Sequence, residues 1–179
     1  MKKNSAKLQF GSAGTGTTTH LGCALLNAVV GVKVTHVPYR GGGPAANDLI
    51  GGQIDYMCLN MGSAGPLTMG KQVKAIATLS RNRSPLMPDL PTAHEQGLTD
   101  FDVVTWNAFF LPKGAPLEVV KKLNDATSQA IDTPAIKERL HELGVTGVPF
   151  ECRSPEYLAK FDEITRWAGP IKANGLQVD

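Results

Sequence analysis

The sequence predicts an α/β fold with a largely parallel sheet, and three observations carry that expectation. Short apolar runs suited to strands alternate with stretches of helical periodicity. Glycine-containing loops stand where the early strands hand over to helices. Thr133-Pro134 and Ser154-Pro155 each place a capping residue before a proline at a first helical position. In sheets of this kind, ligands bind outside the carboxyl ends of the strands, which is where the glycine loops fall.

Each element has a local reason. Leu8–Phe10 is a short apolar run ending at Gly11. Leu21, Leu25, Ala28 and Val29 recur at helical spacing between Thr17 and Val30, and Gly31 supplies a stop. Val32–Val37 alternates apolar and polar residues, as a strand with one buried face does. Pro38–Gly43 reads as a loop, and Pro44 suits the first turn of a helix to Ile50 because its missing N–H has no partner there. Ile54–Leu59 is expected as a strand, Asn60–Gly65 as a glycine-containing loop and Val73–Leu79 as a buried strand. Pro85, Pro88 and Pro91 space out a surface connection, with a short helix around Thr92–Gln96. Val103–Leu111 is aromatic and β-prone. Helices are expected from Pro116 to about Ile131, from Pro134 to Gly144 and from Pro155 to about Ala173, with a short strand at Val145–Val148. Val119, Leu123 and Ala130 are expected in the core, and Trp106 as core or boundary packing.

Composition excludes several function classes. The 179 residues suit one ordinary domain or two small lobes, and the net charge is +2 with scattered basic residues. That is not the dense Lys/Arg footprint of a nucleic-acid binder. No apolar run approaches the roughly 18 residues of a membrane span. Met1-Lys2-Lys3 resembles the start of a secretory signal, but Asn4, Ser5, Lys7 and Gln9 interrupt its apolar core, so no export signal is expected in the sequence as given. Cys23, Cys58 and Cys152 are widely spaced and odd in number, so they read as buried apolar residues without zinc or redox pairing. His20, His36, His94 and His141 form no HxH or HExxH group, and no metal or cofactor is expected. His20 sits close to the first glycine loop, either orienting it or lying on the helix surface. Asp48, Asp55, Asp89, Glu95 and Asp102 occur singly.

The main chemical feature is Gly11-Ser12-Ala13-Gly14-Thr15-Gly16-Thr17-Thr18-Thr19. Glycines let the backbone turn tightly and approach a ligand, hydroxyls add donors, and the free N–H groups of the following helix favour an anion. A phosphate loop would need lysine where Thr17 stands. A nucleophile elbow around Ser12 would need glycine where Phe10 stands, and Thr19 occupies the third glycine of a dinucleotide fingerprint. A tight turn with a threonine cap would also explain the segment. Tyr39-Arg40-Gly41-Gly42-Gly43 is a second constellation, in which Arg40 can fork onto a carboxylate and Tyr39 can bond or pack over it. Asn60 can add an amide at the same edge, or simply turn the chain beside Gly62.

GSAGTGTTTHL, VPYRGGGPAANDLIGGQIDYM, PDLPTAHEQGL and the Trp106–Pro112 passage resemble the substrate-binding proteins of tripartite tricarboxylate transporters, the TctC or Bug family. Pro116–Asn124, Pro134–Gly144 and Ser154–Trp167 extend the resemblance along nearly the whole chain. It implies a periplasmic-binding-protein-like fold of type II, in which two α/β lobes close over a small mono-, di- or tricarboxylate and present it to membrane permease subunits without chemistry. It places Ser12, Ala13, Thr15, Gly16 and Thr17 on one lobe's anion loop, with Tyr39, Arg40, Gly41, Gly42 and Asn60 beside it. Leu59 stands where many relatives carry an acid, which leans away from an amino-acid ammonium group and towards a plain carboxylate.

The resemblance also implies that residues 7–104 form a nearly complete ligand lobe and residues 105–179 the C-terminal part of the other lobe. The signal peptide and the N-terminal part of that other lobe are absent. The expected location is the periplasm, or the cytoplasm if these residues are the entire gene product. An orphaned sheet edge and uncovered helix faces then favour a homodimer. The alternative is a small α/β enzyme using Gly11–Thr19 as an oxyanion or phosphate site.

Overall fold

The computed structural model describes residues 7–99, 101–159, 168–169 and 171–172. It contains β1 (Gln9–Ser12), α1 (Thr18–Val30), β2 (Thr35–Pro38), α2 (Gly42–Ile50), β3 (Tyr56–Met57) and α3 (Met61–Met69). α4 (Leu117–Asp132), α5 (Pro134–Glu142), a 3-10 turn at Phe150–Cys152 and α6 (Pro155–Ala159) follow.

The three strands form a parallel sheet in the order β2-β1-β3. β1 is central, pairing Gln9–Ser12 with Thr35–Pro38 on one side and Phe10-Gly11 with Tyr56-Met57 on the other. Successive side chains of a strand point to opposite faces, so Phe10 and Gly11 report what covers each. Phe10 stacks on His20 of α1. A Cβ on Gly11 would meet Ala45 of α2 at 3.6 Å and run into the Ile54 side chain. The two helices therefore cover opposite faces, as right-handed crossovers running in opposite directions require.

α1 ends as its glycine predicts. Gly31 adopts φ 73°, its N–H donates to Ala28 O, and Val32 N–H donates to Asn27 O. This left-handed cap occupies Val32, so β2 begins at Thr35 rather than at Val32. α2 begins at Gly42, two residues before Pro44, because Gly41 at φ 121° turns the chain into the helix.

Several expectations give way. Asn60–Gly65 is not a loop: Asn60 caps α3, whose Gly62, Ser63, Gly65 and Pro66 carry little helical signal. Val73–Leu79 forms no strand, only a parallel bridge of Thr78 with Thr92. Pro91 lies opposite and has no N–H to donate to a ladder. Thr92–Gln96 is a turn in which Thr92 Oγ1 accepts from Glu95 N–H (3.0 Å) and the Glu95 carboxylate accepts from Thr92 N–H (2.7 Å). That is a capping box without a helix behind it. Val103–Leu111 and Val145–Val148 are β-prone but have no partner strand among the described residues, and propensity alone makes no ladder. Thr133 makes no side-chain cap; its hydroxyl donates to Ala130 O. Ser154 does cap α6, accepting from Tyr157 N–H at 3.1 Å. The rest of the expected last helix lies mostly outside the described residues.

The buried apolar residues among those described all fall between Phe10 and Phe101. No residue of α4 or α5 is buried, and Val119, Leu123 and Ala130, expected in the core, are exposed. Trp106 is 40% exposed and Phe109 82%. The amphipathic pattern is present, but nothing among the described residues covers its apolar side.

α5 meets the sheet-bearing part at α3. A Cβ on Gly62 would lie 2.5 Å from the Leu143 carbonyl oxygen, a backbone atom that cannot swing aside. Gly62→Ala is therefore expected to push the end of α5 off α3 and cost about 1–3 kcal/mol. Gly65→Ala, where a Cβ meets nothing within 4 Å, is the control. Thermal denaturation of both variants checks this; a Gly62→Ala midpoint at or above that of Gly65→Ala would contradict it.

Candidate functional site

The connections after β1, β2 and β3 each run directly into the N-terminus of a helix, α1, α2 and α3. Because the strands are parallel, all three N-termini lie at the carboxyl edge of the sheet. The strand order reverses between β1 and β3, so a crevice is expected there. Each N-terminus brings unpaired N–H groups and the positive end of a helix dipole.

The first loop is held from within. Ser12 is fully buried, and its Oγ lies 2.7 Å from His36 Nε2 and accepts from Gly14 N–H at 3.1 Å. Ala13 N–H donates to Thr19 Oγ1 (2.9 Å), and Gly16 N–H donates to His20 Nδ1 (3.1 Å). Thr17 Oγ1 donates to Gly14 O (2.7 Å) and caps α1 by accepting from His20 N–H. Gly14 at φ 134° and Gly16 at φ 78° need glycine. The hydroxyls of Ser12 and Thr17 thus shape the loop. Thr15 and Thr18 face solvent, and the Thr18 and Thr19 N–H groups, in the first turn of α1, have no intrahelical partner.

The second loop packs against the first. Tyr39 N–H donates to Ser12 O at 3.1 Å, and a Cβ on Gly14 would lie 3.4 Å from Tyr39 O. The Tyr39 hydroxyl is committed to Asp48 of α2, donating at 2.7 Å, and that bond raises its pKa. Arg40 is exposed and has no hydrogen bond or ion pair among the described residues. Gly41 and Gly42 lie at the start of α2, which has no side-chain cap. Asn60 is exposed at the start of α3, and its side chain makes no cap bond, so its amide is free at this edge.

Beneath the loops lies a stack of rings that periodicity only hinted at. His20 is 3% exposed, which rules out the helix-surface reading. Its ring centroid is 3.8 Å from that of His36, with 9° between planes, and Phe10 stacks on His36 at 4.9 Å. Burial pushes the His20 pKa down. Burial, and then the charge of His20, push His36 down to about 4. The available signal for His36 was parity: Val32, Val34 and His36 share one face of the expected strand.

Cys23 and Cys58 form a disulfide, which overturns their reading as unpaired apolar residues. They are 35 residues apart in sequence, yet the strand order brings the chain leaving β3 against α1, with Cα atoms 5.6 Å apart. The bond fastens the β3–α3 loop two residues before Asn60. Cys152 is free. No group of metal-ligating side chains occurs among the described residues, and no helix there is long and apolar enough to cross a membrane.

Residues 1–176 match the family described as tripartite tricarboxylate transporter family receptor. The chain is 41% identical over 169 residues to a UPF0065 protein encoded in the tcbD-tcbE intergenic region of Pseudomonas sp. strain P51, covering 93% of this chain and 49% of that protein. It resembles the structure of MatC from Rhodopseudomonas palustris with bound malate, with a TM-score of 0.87 and 38% identity over 95% of this chain and 58% of MatC. It also resembles the periplasmic binding protein BugD, with a TM-score of 0.87 and 36% identity over 98% of this chain and 59% of that one. The fold is thus part of a type II periplasmic-binding-protein architecture. The chain spans about half the length of most of the curated relatives it matches. With the match running from residue 1 to residue 176, this chain belongs to the TctC family of tripartite tricarboxylate transporter receptors.

Proposed function

We propose that this chain binds a small di- or tricarboxylate, without chemistry, as the solute-binding component of a tripartite tricarboxylate-type transport system. The observation that carries the reading is the meeting of three helix N-termini, with an unpaired Arg40, at one edge of a parallel sheet. One carboxylate would sit on the Thr18 and Thr19 N–H groups with Thr15 beside it, walled by Ala13, Gly16 and Thr17. Arg40, with the Gly41–Gly42 backbone, would take a second carboxylate, and Asn60 would close the third side. Tyr39 would wall the site through its ring, its hydroxyl being committed to Asp48. Ser12 would act from below, as support.

Residues 7–104 would be the ligand lobe and residues 105–179 part of the opposing one. Membrane permease subunits would be the partners and the periplasm the location, where a disulfide persists. The exposed apolar residues from Val104 to Phe150 favour self-association, which light scattering on a size-exclusion column reads directly.

The Ser12–His36 contact is the one observation that favours an enzyme, since it has the geometry of a nucleophile and its base. Ser12 is fully buried, however, and no carboxylate bonds to His36 among the described residues. Substrate has no path to that oxygen.

A thermal-shift screen with malate, succinate, citrate, inorganic phosphate and nucleotides tests the proposal. A carboxylate at about 100 times its Kd is expected to add about 2.7 kcal/mol, a shift of several degrees. Arg40→Ala is expected to weaken that carboxylate about tenfold with little change in the unliganded midpoint, because Arg40 holds nothing in the fold. Stabilisation by nucleotides or phosphate with no response to carboxylates would overturn the reading.

A further inference from the structure

The anion loop is supported at Gly16 by a titratable acceptor. Gly16 N–H donates to His20 Nδ1 at 3.1 Å, so in this arrangement Nδ1 carries no proton and a neutral ring holds its proton on Nε2. The same histidine lies flat on His36, 3.8 Å away, and His36 holds Ser12 at the other end of the loop. Both ends of the Ser12–Gly16 turn therefore rest on one pair of stacked imidazoles. Two positive charges cannot occupy adjacent stacked rings without strong repulsion.

We infer that His20 is the positioning residue of this loop, and that protonating it replaces the Gly16 acceptor with a donor and releases the turn. The groups around the stack leave nothing to offset the new charge. β1 contributes Phe10 and Ser12, and β3 contributes Tyr56, whose hydroxyl donates to Asn27 of α1 at 2.6 Å. Asp55, the nearest acid in the sequence of β3, accepts from Gln9 N–H at the opposite end of β1. No carboxylate bonds or pairs with either imidazole among the described residues. Burial already favours the neutral rings, so the switch lies on the acid side of neutrality.

The coupling to ligand rests on the carboxylate reading above; the coupling of His20 to the loop does not. Nitrogen-15 NMR of the whole chain from pH 8 downwards separates the two. The expected result is His20 in the Nε2–H tautomer at neutral pH, with the Gly16 amide shift moving at the His20 midpoint. Protonated Nδ1 at pH 7.5, or a Gly16 amide indifferent to the His20 titration, would overturn the inference.

Malate binding supplies the second arm. Affinity is expected to fall on acidification with that same midpoint. His20→Leu is expected to lose about tenfold at pH 7.5, since a buried N–H is left unpaired. His20→Asn, whose amide oxygen can take the Nδ1 position without titrating, should recover most of the loss and flatten the pH profile. Equal profiles for the wild type and His20→Asn would refute the link to binding. Failure of any carboxylate to bind at any pH would refute the carboxylate reading, and with it that link, while the Gly16 titration still decides the loop.

Discussion

Removing the Cys23–Cys58 disulfide is expected to lower the unfolding free energy by about 4 kcal/mol. Its residues are 35 apart in sequence, and closing a loop of that length restricts the unfolded chain by about this amount. In a chain of this size the melting midpoint should fall by roughly 8–15 °C. The bond has a second effect in the folded state, because it ties α1 to the segment that leads into Asn60. Urea denaturation with and without reductant, alongside Cys23→Ala/Cys58→Ala, measures the cost. Cys152→Ser is the control, since Cys152 is free and only partly covered, and it should change stability by no more than about 0.5 kcal/mol. Coincident transitions for oxidised and reduced protein would show that the bond does not form or does not constrain the chain.

Acid is expected to weaken the fold in a window set by the two stacked histidines. Both are held below their ordinary value of 6.5 in the folded state, His36 at about 4. Between those values the unfolded chain binds more protons than the folded one, so stability rises with pH. The contribution is complete above about pH 6.5 and is lost progressively towards pH 4. His36 alone accounts for up to about 3 kcal/mol. Asp132 does not confuse this window. The bonds from Arg153 hold its carboxyl at about 2, against an ordinary 3.8, so its contribution falls away only at lower pH. His36→Gln keeps a partner for Ser12 and removes the titration. Its urea midpoint should be markedly flatter between pH 7 and 4.5 than that of the wild type. An unchanged slope in the variant would assign the acid sensitivity elsewhere.

Legibility from sequence followed the range of the interaction concerned. α1, α2, α4 and α5 could be read because periodicity, glycine stops and prolines at first turns act over a few residues. β1 and β2 could be read because alternation records a buried face. The stretches 73–79, 103–111 and 145–148 look equally β-prone, but a ladder needs a second strand, and no partner lies beside them. α3 was hidden by Gly62, Gly65 and Pro66, whose place in a helix is settled by packing against Leu143 rather than by propensity.

The site divides in the same way. The glycine loops at the strand ends were visible, since glycine at Gly14, Gly16 and Gly41 is a local backbone requirement. Which way the hydroxyls of Ser12 and Thr17 turn was not visible, because it depends on His20 and His36 arriving from other elements. The Cys23–Cys58 bond was invisible for the same reason: 35 residues separate its halves and only the strand order joins them.

Amide chemical-shift mapping during a malate titration tests carboxylate capture at the sheet edge most directly. Saturable shifts are expected at Thr15, Thr18, Thr19, Arg40, Gly41, Gly42 and Asn60, weakened about tenfold by Arg40→Ala. Saturable shifts confined to α4, α5 or the 85–98 connection, and indifferent to Arg40→Ala, would place the ligand elsewhere and contradict the proposed site.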